Sequence, residues 1–478
     1  MQLIYSDTVT DERFDDRQTI TDSGLIPLAR LCQMVDLPGL VEDQLRMTGP
    51  GSAHTGHKIM ATVLGMCAGA DSVSDLDRLR TGAMDRVFSQ IRASSTIGTF
   101  HRALTEHNIG DYAHIATEFT TALASRTPVL NRPRRRGRPA RPGDDLVMLD
   151  LDDTMIESFS TRKQGAAYGY TRFTGLSAAS AIASMAGNRP IILTHQLRSG
   201  RLGGSPCTGV FTADALTALA RIPAIADRRI CVRGDTAMYT RDIVHAALAA
   251  GAYVSVGIKK FPNVIAAIDG LDESVWVPID YPGAIHDCAG TVLTSPGQVA
   301  EVPFTAFSSS RHKKTDRVKG RLIIRRVLSE DAIQKAEQNP DQDGLFPPWE
   351  YHAFFTTLPA DEYPTVDADR IHRGHAIIEQ VNAELKNGPL AHLPFHRLAA
   401  NSAWLAAAVM AHNLLTTAGS LTDTLQYART GSLRSKLVNV PARITRSGRR
   451  LILHLPENWP WASDRRSLTR ALAPPTAA

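Results

Sequence analysis

The most informative stretch of the sequence is VMLDLDDTM, residues 147–155. An apolar run passes into acidic residues at alternate positions, Asp150 and Asp152, and then ends in Asp153 and Thr154. Because successive side chains of a β-strand point to opposite faces, Asp150 and Asp152 are expected to project from the same face. Two carboxylates paired in this way make the end of the strand a candidate reactive site.

The composition indicates a folded chain in a reducing compartment. The chain has 478 residues, of which 43% are hydrophobic and 21% charged, and its formal net charge is +5. These values argue against wholesale disorder, and the five scattered cysteines favour the cytoplasm. No secretory signal pattern is visible at the start. The apolar stretch 399–419 contains Asn401 and His412, so a buried helix is predicted there rather than a membrane span.

Two regions precede the strand of residues 147–155. Residues 24–125 carry apolar side chains three and four apart, which predicts helices. Residues 131–145, NRPRRRGRPARPGDD, are rich in arginine and proline and form a predicted linker. A block of like charge repels itself unless a polyanion neutralises it, so the linker is either a solvated tether or a contact with nucleic acid. Its candidate DNA contacts are Arg134, Arg135, Arg136 and Arg138.

After the linker the pattern predicts three strands, a helix, a strand, a helix and a strand. The first of these helices, TADALTALARI, has Thr212 as its expected N-cap. This order is that of an RNase H-like core, in which the first strand and the strand RRICV lie parallel and adjacent. Asp152 and Asp235 would then meet at the carboxyl ends of these two strands.

The predicted fold class is multidomain α/β, with an RNase H-like catalytic core that contains a β-rich insertion and follows an all-helical N-terminal region. The predicted boundaries are 1–130 for the helical region, 131–145 for the basic linker, 146–259 for the first part of the core, 260–348 for the insertion, 349–425 for the second part of the core and 426–478 for a basic hairpin and tail.

A phosphatase is one alternative interpretation of the first strand. Asp150-x-Asp152-x-Thr154 matches the motif of haloacid-dehalogenase phosphatases, in which Asp150 would be the nucleophile. That chemistry also needs a lysine and a later acidic pair. Between Asp152 and Asp235 the chain offers only Lys163, which lies close to the first motif. A short motif without its structural context is only a hypothesis, so this alternative is less favoured.

Two-metal phosphodiester chemistry needs a third carboxylate, from a helix packed over the sheet. Glu379 is the best candidate, because the segment ADRIHRGHAIIEQVNAELKNG predicts an amphipathic helix. Glu379, Asn382 and Lys386 fall on one face of that helix. This face is either a solvated surface or a surface for a phosphate backbone. Hard oxygen ligands favour two Mg²⁺ ions, with Mn²⁺ as a possible substitute.

Six segments in order resemble the DDE transposases of bacterial insertion sequences (DDE group 1), in the branch named after IS thirteen-eighty. They are LDLDDT, KQGAAYGYTRFTG, LRSGRLGGS, RGDTAMY, YHAFFTTL and the spacing from Glu379 to Lys386. One departure is that His372, Arg373 and His375 stand where a tyrosine and an arginine are usual. Glu384 is therefore kept as the alternative third acid.

The resemblance implies that Asp152, Asp235 and Glu379 bind the metals of a Mg²⁺-dependent endonuclease and strand transferase. This enzyme of a mobile element would bind terminal inverted repeats through the helical region, cleave DNA at the element ends and join the 3′-hydroxyls to target DNA. It would work as a homodimer or larger assembly on the bacterial nucleoid, without a membrane. The supporting residues around the metals would be Asp150, Asn382 and Lys386. Further DNA contacts would be Lys313, Lys314, Arg317, Arg373 and Lys386. A DNA-binding relic without activity remains a second alternative.

Overall fold

The structure is a computed structural model that describes residues 11–49, 51–131, 140–160, 162–168, 172–201, 207–282, 284–286, 292–309, 311–328, 349–448 and 450–473. The chain divides into two compact units. The first combines Met1–Ile115 with Leu385–Ala478, and the second is Ala116–Glu384. The four linker arginines proposed to contact DNA lie outside the described residues, so that prediction stays open.

The helices and strands are as follows in chain order. The α-helices are α1 (Leu25–Met34), α2 (Leu37–Gln44), α3 (Thr55–Ala68), α4 (Ser94–Ala103), α5 (Asn108–Arg126), α6 (Gly209–Ala220), α7 (Arg241–Ala249), α8 (Pro262–Asp269), α9 (Thr365–Arg373), α10 (Ile377–Lys386), α11 (Leu398–Ser420), α12 (Thr430–Leu433) and α13 (Ala462–Ala471). The β-strands are β1 (Thr19–Ile20), β2 (Val147–Glu157), β3 (Ala167–Tyr168), β4 (Thr174–Ser184), β5 (Ile191–Ser199), β6 (Ile230–Gly234), β7 (Tyr253–Ile258), β8 (Val277–Pro278), β9 (Ile285–His286), β10 (Val292–Thr294), β11 (Gly297–Ala306), β12 (Val318–Leu328), β13 (Trp349–Thr356), β14 (Ala442–Ser447) and β15 (Arg450–His454).

The first unit is mainly helical. Its longest helix, α11, packs against α3. This helix is long and apolar enough to cross a membrane by length and composition, but 94% of its apolar window is buried inside the protein. The prediction of a buried helix is therefore confirmed. The predicted C-terminal hairpin is also present as β14 and β15, and the short strand β1 pairs with β14.

The second unit is built on one mixed sheet. The order of its strands is β5–β4–β2–β6–β7–β13–β12–β11–β8, and β3 also pairs with β4. The strands β2, β4 and β5 are antiparallel neighbours, whereas β2, β6 and β7 are parallel. The predicted adjacency of β2 and β6 is thus confirmed. The strands β11 and β12, which fall in the segment predicted as an insertion, extend this same sheet through β13.

The alternation along β2 decides which face carries the acids. Leu149 and Leu151 enter the main core together with residues of α6 and α7. Met148 points to the other face, where it joins a smaller cluster that includes Ile371 of α9. Since Asp150 and Asp152 share the parity of Met148, they face the side covered by α9 and α10.

The predicted cap of α6 is wrong. The helix begins at Gly209, and the hydroxyl of Thr208 accepts a hydrogen bond from the backbone N–H of Phe211 at 3.1 Å. Thr212 lies inside the first turn, where its hydroxyl donates to the carbonyl of Thr208. The helix therefore starts one turn earlier than the pattern of small apolar residues indicates.

Candidate active site at the ends of β2 and β6

Asp152 and Asp235 lie at neighbouring positions on the same edge of the sheet. The last paired residues of the two parallel strands are Leu151 and Gly234. Asp152 directly follows Leu151 and Asp235 directly follows Gly234, so the two aspartates come after the same pair of hydrogen-bonded residues. Both carboxylates also act on the thiol of Cys207. Burial raises the pKa of the thiol of Cys207, and the charges of nearby carboxylates raise it further, including those of Asp153, Asp152 and Asp235.

Asp152 is partly buried and held by a helix. Its Oδ2 accepts a hydrogen bond from Nδ2 of Asn382 in α10 at 2.6 Å. Burial raises the pKa of Asp152 above its ordinary value, and the charge of Asp235 acts in the same direction, whereas the bond from Asn382 opposes both. A carboxylate in this setting carries its negative charge at a cost, which a bound cation would relieve.

Asp235 is exposed and begins a short turn. Its carboxylate accepts a hydrogen bond from the backbone N–H of Ala237 at 2.8 Å. That bond fixes the side chain at the carboxyl end of β6, where it remains open to solvent. The two strand carboxylates therefore differ, since one is held inside the protein and the other is accessible.

Glu379 lies on α10, one helical turn before Asn382. Because residues three apart share a helix face, Glu379 is on the face that reaches Asp152 through Asn382. Its side chain is exposed. Among the described residues, however, no three His, Cys, Asp or Glu side chains converge closely enough to hold a metal ion. The structure places the two aspartates at the ends of adjacent strands, and Glu379 lies on α10, the helix that is bonded to Asp152 through Asn382.

The alternative third acid, Glu384, has a different environment. Its Oε1 accepts a hydrogen bond from Nη2 of Arg189 at 2.6 Å, and only 5% of the Glu384 side chain is exposed. Gln380 also donates to it at 3.0 Å. Glu384 is therefore committed to a buried ion pair, which favours Glu379 as the residue available for metal.

Asp150 is fully buried in a charged network. Its carboxylate accepts hydrogen bonds from Nε and Nη2 of Arg233 at 2.7 and 2.8 Å, and His375 Nδ1 lies 2.8 Å from the same Oδ1. Burial alone would raise the pKa of Asp150, but the charge of Arg233 and these hydrogen bonds outweigh it, so the pKa lies below the ordinary value. A nucleophile must be reachable, and Asp150 is not.

The phosphatase interpretation also lacks its second acid. Asp242 pairs with Arg241 at 2.8 Å and is exposed rather than adjacent to Asp150 in the buried network. The hydrogen-bond partners of Asp150 are an arginine and a histidine. The geometry therefore does not favour a phosphatase.

The predicted DNA contacts that the structure describes lie on three elements. Lys313, Lys314 and Arg317 are exposed in the turn between β11 and β12, and Lys386 is exposed at the end of α10. Arg373 is less available, because its guanidinium donates to the buried Asp369 at 2.7 Å.

Sequence patterns alone did not identify the partners of Asp150. Arg233 precedes Asp235 by two residues on β6, as Asp150 precedes Asp152 on β2, so the alternation offers a signal that a buried charge pair lies under the aspartates. No comparable signal exists for His375. Trp276 is buried, with the guanidinium of Arg326 4.2 Å from its ring centre, so it packs inside the unit.

A cavity of about 690 Å³ opens beside the turn that follows Asp235. Tyr239 and Phe307 stack in its wall with their ring centres 5.0 Å apart. Arg241 and Arg311 also line it. The surroundings of Asp235 thus combine aromatic surface with positive charge.

The comparison with protein families agrees with this geometry. The family model described as "Transposase DDE domain group 1" matches residues 6–476, which is nearly the whole chain. No curated protein matches the chain significantly.

Proposed function

The chain belongs to the transposase DDE domain group 1 family, and on that premise we propose that it is the transposase of an insertion sequence. Membership makes it a polynucleotidyl transferase-type enzyme that acts on DNA. In our proposal it binds the terminal inverted repeats, cleaves DNA at the element ends and joins the freed 3′-hydroxyls to target DNA.

One observation carries the proposal, the position of Asp152 and Asp235 at the ends of hydrogen-bonded parallel strands. The hydrogen bond from Asn382 to Asp152 shows that helix α10 packs against the end of β2. Two carboxylates on one sheet edge, faced by a helix that carries a third, are the parts that two-metal phosphodiester cleavage requires.

The donor chemistry fits divalent cations. Asp152, Asp235 and Glu379 would hold two Mg²⁺ ions, or Mn²⁺ in their place, because carboxylate oxygens are hard ligands. Such ions, when bound, stabilise negative charge on the attacking and leaving oxygens. Asn382 orients Asp152 for this task. In the proposal Glu379 completes the ligand set from α10 when the metal binds, since the described residues contain no ready group of three ligands.

The finer assignments are parts of the same proposal. The strand order β5–β4–β2–β6–β7 supports an RNase H-like core. The exposed turn with Lys313, Lys314 and Arg317 supports contacts with DNA phosphates, which position a duplex without reading its sequence. The resemblance carries four further parts of the proposal. The protein belongs to the branch named after IS thirteen-eighty, and its N-terminal helices recognise the repeats. It acts as a homodimer, and it is located in the cytoplasm on the nucleoid.

A cleavage assay tests the proposal. DNA that carries both element ends with their flanks is incubated with the protein and Mg²⁺, and the cut strands are mapped. We expect cuts at the element ends with the wild-type protein and none with Asp152→Ala, Asp235→Ala or Glu379→Ala. DNA binding by these variants should persist, because phosphate contacts lie elsewhere.

The matched control is Asp214→Ala, which removes an exposed acid from α6 on the opposite face of the sheet. This variant should cleave like the wild-type protein. Binding to the ends without cleavage by the wild-type protein would identify an inactive relic. Normal cleavage by Glu379→Ala would remove that residue from the site.

A further inference from the structure

Three buried polar side chains form a cluster, and each of them lies a few residues before a proposed metal ligand in the sequence. Its members are Asp150 on β2, Arg233 on β6 and His375 between α9 and α10. Their side chains are 0%, 4% and 13% exposed. Each precedes a proposed ligand on the same stretch of chain, by two residues on the strands and by four before Glu379.

The cluster ties the three segments together by directed hydrogen bonds. Arg233 holds Asp150 with a two-pronged contact, and its Nη1 donates to the carbonyl of Ile371 in α9. Gly374 completes the fit, because a Cβ at that position would lie 2.6 Å from Nη1 of Arg233. His375 then donates from Nδ1 to Asp150. The donor directions of a guanidinium are fixed, so these bonds favour this arrangement of the segments.

Stability alone does not account for charge at this position. A buried ion pair recovers little more than its desolvation cost, and apolar side chains of similar volume usually stabilise as well or better. Apolar packing of this kind occurs close by on the same face of the sheet, where Met148 and Ile371 belong to an apolar cluster. Next to the aspartates the protein instead has the charge pair of Asp150 and Arg233, whose hydrogen bonds are directional.

We propose that Asp150, Arg233 and His375 form a positioning clamp, which sets the placement of Glu379 relative to Asp152 and Asp235. The clamp rests on the proposed function, since it acts through the three metal ligands. None of its members touches DNA or metal in this role. Its effect is on the affinity of the site for the cation, because ligand groups held in place by a supporting layer bind metal about 10- to 100-fold more tightly.

The histidine gives the sharpest test. The bond to Asp150 uses Nδ1, and Nε2 is buried without a hydrogen-bond partner among the described residues. Asparagine places an amide donor close to the position of Nδ1 and has nothing at Nε2. His375→Asn should therefore preserve the clamp, whereas His375→Ala should break it.

The experiment measures the Mg²⁺ concentration for half-maximal cleavage of the element ends, with thermal unfolding as a check on folding. His375→Ala should raise that concentration about 10-fold or more, and saturating Mg²⁺ should restore most of the rate. His375→Asn should stay within about threefold of the wild type. The matched control is His352→Ala, an exposed histidine on β13 in the same unit. If the alanine variant does not fold, His375→Gln, whose amide lies farther out, replaces it.

Mn²⁺ binding to the free protein, followed by electron paramagnetic resonance, separates the two proposals. A wild-type protein that binds Mn²⁺ but cleaves no DNA would overturn the proposed function, and weaker Mn²⁺ binding by His375→Ala would still support the clamp. If His375→Ala folds and its Mg²⁺ dependence and Mn²⁺ binding equal those of the wild type, the clamp is overturned and the proposed function is not. Equal defects in the alanine and asparagine variants would overturn the role of Nδ1.

Discussion

Removing one partner of the buried pair between Asp150 and Arg233 should destabilise the second unit strongly. In Asp150→Leu the guanidinium of Arg233 keeps its charge in a site where only 4% of its side chain is exposed. An unpaired buried charge costs about 3 to 5 kcal/mol. At about 2 to 4 °C per kcal/mol, the unfolding midpoint should fall by roughly 6 to 20 °C.

The double variant Asp150→Leu/Arg233→Met isolates the cause. It removes both charges, so most of the lost stability should return even though two hydrogen-bonded groups are gone. The matched control is Glu362→Ala, which breaks the exposed ion pair with Arg229, where the side chains are 42% and 43% exposed. That change should cost less than about 1 kcal/mol.

Acid supplies an independent check of the same prediction. The folded-state pKa of Asp150 lies below its ordinary value. A carboxyl group of this kind contributes stability that is present above the unfolded pKa of about 3.9 and is lost as the pH falls through the folded pKa. The stability difference between the wild type and Asp150→Leu should therefore shrink below about pH 4. A cost under about 1 kcal/mol at pH 7, or one that does not shrink in acid, would refute the reasoning.

Three further predictions concern other parts of the molecule. Burial raises the pKa of Asp152, so the stability that this carboxyl contributes in its protonated form is lost as the pH rises through the folded pKa. Asp152→Asn should therefore raise the unfolding midpoint of the metal-free protein by a few degrees at pH 7, which corresponds to roughly 1 kcal/mol. This gain should vanish below about pH 4, where the carboxyl is protonated. Trp276→Ala should cost about 3 to 5 kcal/mol in urea unfolding, because the ring is only 9% exposed. Joint replacement of Arg134, Arg135 and Arg136 should flatten the log–log salt dependence of DNA binding by up to about three units, at roughly 0.9 per phosphate contact, and an unchanged slope would make the linker a tether.

Local periodicity accounts for what the sequence predicts well. Strict alternation in β2 identifies the face of Asp150 and Asp152, and the order of strands and helices identifies β6 as the neighbour of β2. These patterns depend on residues close together in the chain, and burial on one face enforces them.

Contacts between distant residues account for what the sequence does not predict. Arg233 and His375 meet Asp150 across 83 and 225 residues. The alternation places Arg233 on the same face as Asp235, but it does not identify Asp150 as its partner, and no local period points to His375. The two-residue strand β1 pairs with β14 far along the chain and is too short to leave a pattern. The start of α6 at Gly209 was missed for a different reason, because a Thr-Gly pair resembles a turn and its role as a cap depends on the following turn of helix.

The most direct test of the central claim is to locate the metal on the chain. Fe²⁺ substituted for Mg²⁺, with ascorbate and peroxide, cuts a polypeptide next to the bound ion, and the fragments identify the cut positions. We predict cuts near Asp152, Asp235 and Glu379, and their loss in Asp152→Ala but not in Asp214→Ala. Cuts confined to other parts of the chain, or cuts that persist unchanged in Asp152→Ala, would contradict a metal site built on these three acids.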